Sequence, residues 1–198
     1  MACPDCEKSR LHSTGNNAYI LNYIYLSAVG QILPESPLHK QHPANGFYTE
    51  EERIAGKRVG FMMNTIDGKK GYLAHQDIKS DFHIRRYGIS IENIDAIAVP
   101  SITPGNRNVI ILDEIGKMEC FSGLFRKAVI RALDSANIVI GTITLGGDDF
   151  IMKIKDRADM EMHEVTLNNR DYLPGLILKK VSELLRMGSE NHTSHKHL

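Results

Sequence analysis

Val109-Ile110-Ile111-Leu112-Asp113-Glu114 is the stretch that decides the fold. Four apolar residues in a row, three of them β-branched, have the pattern of a central parallel strand covered on both faces, because a strand with one wet face alternates instead. Downstream, Ser122 is placed to cap an amphipathic helix with Leu124, Phe125, Ala128, Val129, Ala132 and Leu133 on its inner side. Ile138 to Thr144 reads as a second buried strand, Glu161 to Val165 as a third, and Leu173 to Arg186 as a closing helix with Pro174 in its first turn. Upstream, Arg58 to Thr65 and Gly71 to Ala74 flank the turn Asp67-Gly68 and predict a hairpin, and Phe82 to Ile89 is a further strand. Parallel neighbours need crossover helices, so this order predicts a three-layer α/β fold, a mostly parallel central sheet with a β-hairpin insertion.

The N-terminal section departs from that pattern. Residues 1 to 17 are polar, and Pro34 to Pro43 reads as a loop. Tyr19 to Leu33 between them is expected to form a buried helix entered from Asn16 or Asn17, although its β-branched and aromatic residues leave a strand open. The expected organisation is one domain over residues 1–187, with an atypical segment at 1–44, a well-patterned core at 46–185 and a frayed polar tail at 188–198.

Composition excludes several classes. The chain has 198 residues with 24 Lys+Arg against 24 Asp+Glu, so it lacks the basic footprint of a sequence-independent nucleic-acid or membrane-surface binder. Apolar residues at 42% are enough to build a core, which argues against disorder. The three cysteines, Cys3, Cys6 and Cys120, are too few and of the wrong parity for a disulfide framework, and a cytoplasmic setting is expected. Tyr19 to Leu33 contains Asn22, Ser27, Gly30 and Gln31 and falls short of the roughly 20 apolar residues a membrane span needs. Neither a specific nucleic acid nor a membrane is expected as a partner, and the oligomeric state is left open.

The apolar run delivers Asp113 and Glu114 to a strand's carboxyl end, the edge where open α/β sheets bind ligands. An Asp there can hold Mg²⁺ through water while the adjacent Glu orients an attacking water, the Walker B roles of phosphoryl transfer; the same two acids can also end a strand with no chemical role. Those roles require a phosphate loop, and no intact G-x-x-x-x-G-K-[ST] is present. Ala2-Cys3-Pro4-Asp5-Cys6-Glu7-Lys8-Ser9 lies in register with that pattern, Ala2 and Glu7 standing at the two glycine places. It reads as a degenerate loop or as a coincidence. Cys3-Pro4-Asp5-Cys6 is also a C-x-x-C, half a zinc site or a redox pair at most, and Cys120 is expected to pack against the following helix instead of joining it. His192, His195 and His197 read as a solvated tail, and Arg170 either touches nucleotide or caps the end of a strand.

Gly46-Phe47-Tyr48-Thr49-Glu50-Glu51, Lys57-Arg58-Val59-Gly60-Phe61, Asp67-Gly68-Lys69, the DEIGKME of Asp113 to Glu119, Gly141-Thr142-Ile143 and Val165-Thr166 with Asn168-Asn169-Arg170-Asp171 together resemble the small nucleoside-triphosphatase family of archaea, bacteria and animals. The motifs stand in that family's order over about residues 46 to 185. The resemblance implies a RecA/KaiC-like P-loop core that hydrolyses ATP, GTP and other nucleoside triphosphates with Mg²⁺. It makes Asp113 the magnesium-side acid, Glu114 the catalytic base, Lys8 the phosphate lysine and Ser9 the metal hydroxyl, with Thr49, Glu50 and Glu51 beside the site. Where the family has a strand before its P-loop and an uninterrupted helix after it, here Met1 abuts the loop and Gly15-Asn16-Asn17 interrupt the stretch after it. The alternative expectation is a descendant that no longer turns over and binds nucleotide or another protein instead.

Overall fold

The computed structural model describes residues 18–22, 43–106 and 109–193. Its strands are β1 (Ala18–Asn22), β2 (Ala44–Ile54), β3 (Lys57–Thr65), β4 (Lys70–His75), β5 (His83–Ile84), β6 (Tyr87–Ile89), β7 (Val109–Ile115), β8 (Ile138–Ile143) and β9 (Met160–Glu164). They form one sheet in the order β5-β6-β4-β3-β2-β7-β8-β1-β9. From β2 to β9 the neighbours run parallel, and from β2 to β5 antiparallel. β2 serves both halves: Ala44 to Phe47 pair with Val109 to Leu112, and Phe47 to Ile54 pair with β3. The expected hairpin, β3 with β4, is therefore the middle of a larger antiparallel half.

A helix, α1, begins as Ile91–Asn93, widens to a π-helical stretch over Ile94–Ala98 and ends as Val99–Ser101. It is followed by α2 (Gly123–Leu133), α3 (Asp149–Lys155) and α4 (Leu173–Thr193). Ser122 caps α2 as expected, its hydroxyl oxygen accepting the Phe125 N–H at 3.0 Å. Asp148 caps α3 by accepting from the N–H groups of Phe150 and Ile151 at 3.1 and 3.2 Å.

The unbroken apolar run of β7 has a direct cause. Ile110 and Leu112 face a core built with Phe125, Val129 and Ala132 of α2 and Ile151 and Ile154 of α3. Val109 and Ile111 face the opposite core, with Leu173, Ile177, Val181 and Leu185 of α4. Helices thus cover both faces, giving three layers, and each fully buried Ile or Leu contributes roughly 1.5–3 kcal/mol. Gly46 is needed where β2 meets β7: its φ is +126°, and a Cβ there would stand 2.0 Å from the Ile111 carbonyl oxygen.

Three expectations are corrected, and one strand was not foreseen. Of the stretch expected as a helix from Tyr19 to Leu33, Tyr19 to Asn22 belong to a strand, the alternative that its β-branched and aromatic residues leave open: β1 is paired on both edges, by β8 and β9, while residues 23–33 lie outside the described residues. Phe82 to Ile89 is not one strand but the β5–β6 hairpin, turned at Arg85 with φ +54°. Ala44–Ile54, which carries three successive glutamates, is a strand that the sequence pattern did not single out. Finally, α4 continues past Arg186 to Thr193, into the stretch expected to fray. Among the described residues no helix is long and apolar enough to cross a membrane.

Candidate functional site

β7 pairs with β8 from Val109 opposite Ile138 to Leu112 opposite Gly141, and the ladder then shifts before Ile115 meets Ile143. Asp113 and Glu114 occupy that break, at the carboxyl edge of the parallel half. Asp113 is 8% exposed. Thr49, where β2 leaves β7 for β3, holds it twice: its N–H donates to Asp113 Oδ2 at 3.2 Å, and its hydroxyl donates to the Asp113 carbonyl at 3.0 Å. The Thr142 hydroxyl on β8 reaches Asp113 Oδ1 at a long 3.5 Å. Burial pushes the Asp113 carboxyl up to about 7; the Thr49 N–H opposes that, and the neighbouring Glu114 adds to it.

Burial also raises Glu114. A third acid, Glu119, stands on the 3₁₀ turn Glu119–Phe121 and is 1% exposed. Burial lifts it well above the usual carboxylate range, and Glu114 and Asp113 lift it further. Gly116 lies between two of these acids: a Cβ built there would be 2.8 Å from Glu119 Oε2 and 3.0 Å from Glu114 Oε1, so those oxygens are at most 5.8 Å apart. Cys120, next in the chain, is buried in the core with α2 as expected, and burial pushes its thiol up to about 12.

The structure therefore brings Thr49, Asp113 and Glu114 to one place. Glu50 accepts from the Asn64 side-chain amide at 3.1 Å, and Glu51 is engaged with Arg53 and Arg58. Arg170 follows the end of β9, 3.6 Å from Asp171, and β8 and β1 separate its strand from β7 in the sheet. Lys8, Ser9 and the C-x-x-C lie outside the described residues. Sequence reasoning assigned no role to Thr142 or Glu119. Thr142 lay in the quoted Gly141-Thr142-Ile143 but looks like any strand residue, and only the register of β8 against β7 sets it beside Asp113. Among the described residues, no group of three or more His, Cys, Asp or Glu side chains is arranged to hold a metal ion by itself.

A parallel half-sheet with helices on both faces and an acid pair at the carboxyl edge of a central strand defines an α/β protein of the P-loop NTPase-like class. A family described as NTPase matches residues 34–178, and the chain belongs to that family. It is 41% identical over 137 residues to the nucleoside-triphosphatase THEP1 of Thermotoga sp. (strain RQ2), covering 68% of this chain and 79% of that one. It is 35% identical over 147 residues to the human cancer-related nucleoside-triphosphatase, covering 66% and 77%. The crystal structure of THEP1 from the hyperthermophile Aquifex aeolicus matches with a TM-score of 0.68 at 29% identity, covering 83% of this chain and 98% of that one. The solution structure of the human protein matches with the same TM-score at 28% identity. The fold and family expected from the motifs are both borne out, and by that resemblance the chain is an enzyme of the nucleoside-triphosphatase class.

Proposed function

We propose that the chain hydrolyses ATP, GTP and other nucleoside triphosphates to the diphosphate and phosphate, with Mg²⁺, in a cytoplasmic setting. The observation that carries this reading is the pair of the buried Asp113 and the half-buried Glu114 at the end of β7, which no Lys, Arg or His side chain neutralises among the described residues. The donors present suit Mg²⁺, which prefers hard oxygens and is commonly held by one or two carboxylates with substrate phosphates and waters completing its shell. When bound, Mg²⁺ would supply charge neutralisation on the phosphate oxygens.

Asp113 would hold the ion. Its carboxyl is fixed in place by the Thr49 N–H, so little reorganisation is needed when the substrate arrives. Glu114 would accept a hydrogen bond from the attacking water and take its proton, and burial raises its proton affinity toward the working pH, as a general base needs. Lys8 and Ser9 complete the reading as the phosphate lysine and the metal hydroxyl, roles that rest on the eight-residue register at the N-terminus.

The test is phosphate release from a panel of nucleoside triphosphates with Mg²⁺, run beside Glu114→Gln. The substitution is expected to lower the rate by about 10²-fold or more, the usual range for a lost acid–base group. Equal rates for the two proteins would remove Glu114 from the reaction, leaving nucleotide or protein binding without turnover as the better account.

A further inference from the structure

Glu119 has no part in the proposed reaction, yet it is the most completely enclosed acid of the site. A carboxyl at 1% exposure is costly to place without compensation. The backbone N–H groups of Gly116 and of Glu119 itself favour its charged form. Its Oε2 is buried and accepts no hydrogen bond. That oxygen lies at most 5.8 Å from Glu114 Oε1, across the space left by the missing side chain of Gly116, 2.8 and 3.0 Å from where a Cβ would sit. Among the described residues the group with a chemical task that flanks the same Gly116 position as this oxygen is the Glu114 carboxyl.

We propose that Glu119 is a positioning residue: lodged against Gly116, it holds the Glu114 carboxyl by a hydrogen bond and keeps it aimed at the attacking water. The inference rests on the reading of Glu114 as base. In the pair, Glu119 keeps its hydrogen and donates it, and Glu114 accepts through one oxygen while the other remains free for water. Burial raises Glu119 above the ordinary carboxylate range, in keeping with the donor's part. Gly116 belongs to the same device, since any larger residue would push both carboxyl groups apart.

The experiment compares steady-state phosphate release and thermal midpoints for the parent, Glu119→Leu, Glu119→Gln, Gly116→Ala and Glu114→Gln. Glu119→Leu removes the donor and is expected to lower kcat by about tenfold or more with KM within about twofold, since a misaimed group of this kind loses rate rather than binding. Glu119→Gln keeps an N–H donor of the same length and is expected to retain at least about a third of the parent kcat. Gly116→Ala, which leaves Glu119 in the chain, is expected to reproduce the loss in kcat even if Glu119→Leu fails to fold. Parent-like kcat in Glu119→Leu and Gly116→Ala overturns the proposal, as does equal loss in the Leu and Gln variants, which would make the charge of Glu119 the active property. If Glu114→Gln is inactive while the Glu119 and Gly116 variants are unaffected, only this inference falls. If Glu114→Gln matches the parent, the reading of Glu114 as base falls with it.

Discussion

Two clusters of carboxylates lie on this sheet, and they are built in opposite ways. On β2, Glu50, Glu51 and Glu52 each have a partner: Glu50 takes the Asn64 amide, Glu52 takes the Tyr72 hydroxyl at 3.1 Å while its Oε2 accepts no hydrogen bond and lies 3.5 Å from His75 Nε2, and Glu51 pairs with Arg53 at 2.5 Å and with Arg58. Burial nudges Glu51 upward, but the hydrogen bonds from the two arginines outweigh it and hold the carboxyl below its ordinary value. At the end of β7, Asp113, Glu114 and Glu119 sit deeper, are all raised, and pair with no cationic side chain among the described residues. An acid row tied up by the arginines, amide and hydroxyl around it is a structural feature, whereas an acid group largely withdrawn from water with no cation beside it is poised for positive charge brought from outside.

The contrast is broken most directly by comparing Glu114→Gln with Glu51→Gln. The first is expected to cost phosphate release at least about 10²-fold, or about 2.7 kcal/mol of barrier. An effect of that size in Glu51→Gln would place the reacting water on β2 instead. A smaller effect tests the acid that stands where phosphate oxygens belong if residues 2–9 form the cradle. A Glu7 carboxylate about 5 Å from a phosphate charge repels it by about 3 kcal/mol at an effective dielectric constant of about 20. Ala2→Gly with Glu7→Gly is therefore expected to tighten nucleotide binding at least about tenfold by titration calorimetry, the remainder being offset by Lys8 and the metal. Adding Lys8→Ala should abolish the gain, and unchanged affinity in the repaired protein would make the register a coincidence.

The buried acids also give stability a pH dependence of definite sign. Asp113, raised to about 7, contributes fully to the folded state below its unfolded value near 4, and that contribution is lost as pH rises through about 7. Asp113→Asn should therefore match the parent near pH 4.5 and melt higher at pH 8, without nucleotide or divalent ion, by about 3 °C or roughly 1 kcal/mol, part of the gain being offset by a weaker bond to the Thr49 N–H. A lower midpoint at pH 8 would mean the carboxylate is needed for folding. Smallest of all, Glu51→Gln should leave phosphate release within about twofold of the parent, because exposed ion pairs of this kind contribute little.

How far a residue could be read from the sequence depends on how many constraints it meets. β7 could be read because both of its faces are buried, so every position from Val109 to Leu112 must be apolar. Ser122 could be read because capping is local. β2 could not: half of it is paired inside the sheet and half reaches out with β3, so ANGFYTEEERI carries no single periodicity. The same limit divides the site. Asp113 and Glu114 announced themselves by ending an apolar run. Thr49 was reached through the family's motifs, while Thr142 and Glu119 depend on sheet register and on a 3₁₀ turn, which distant parts of the chain decide.

The place of β1 has a consequence for how the chain is made. Residues 18–22 are flanked in the finished sheet by β8 and β9, strands that leave the ribosome roughly 115 and roughly 140 residues later. At about 5–20 residues per second, β1 waits on the order of ten seconds with its backbone donors and acceptors without their final partners. The antiparallel half, contiguous from Ala44 to Ile89, has all its strands available well before then. Synthesis therefore supplies the hairpin half first and completes the parallel half last, and among the described strands β1 waits longest for its partners.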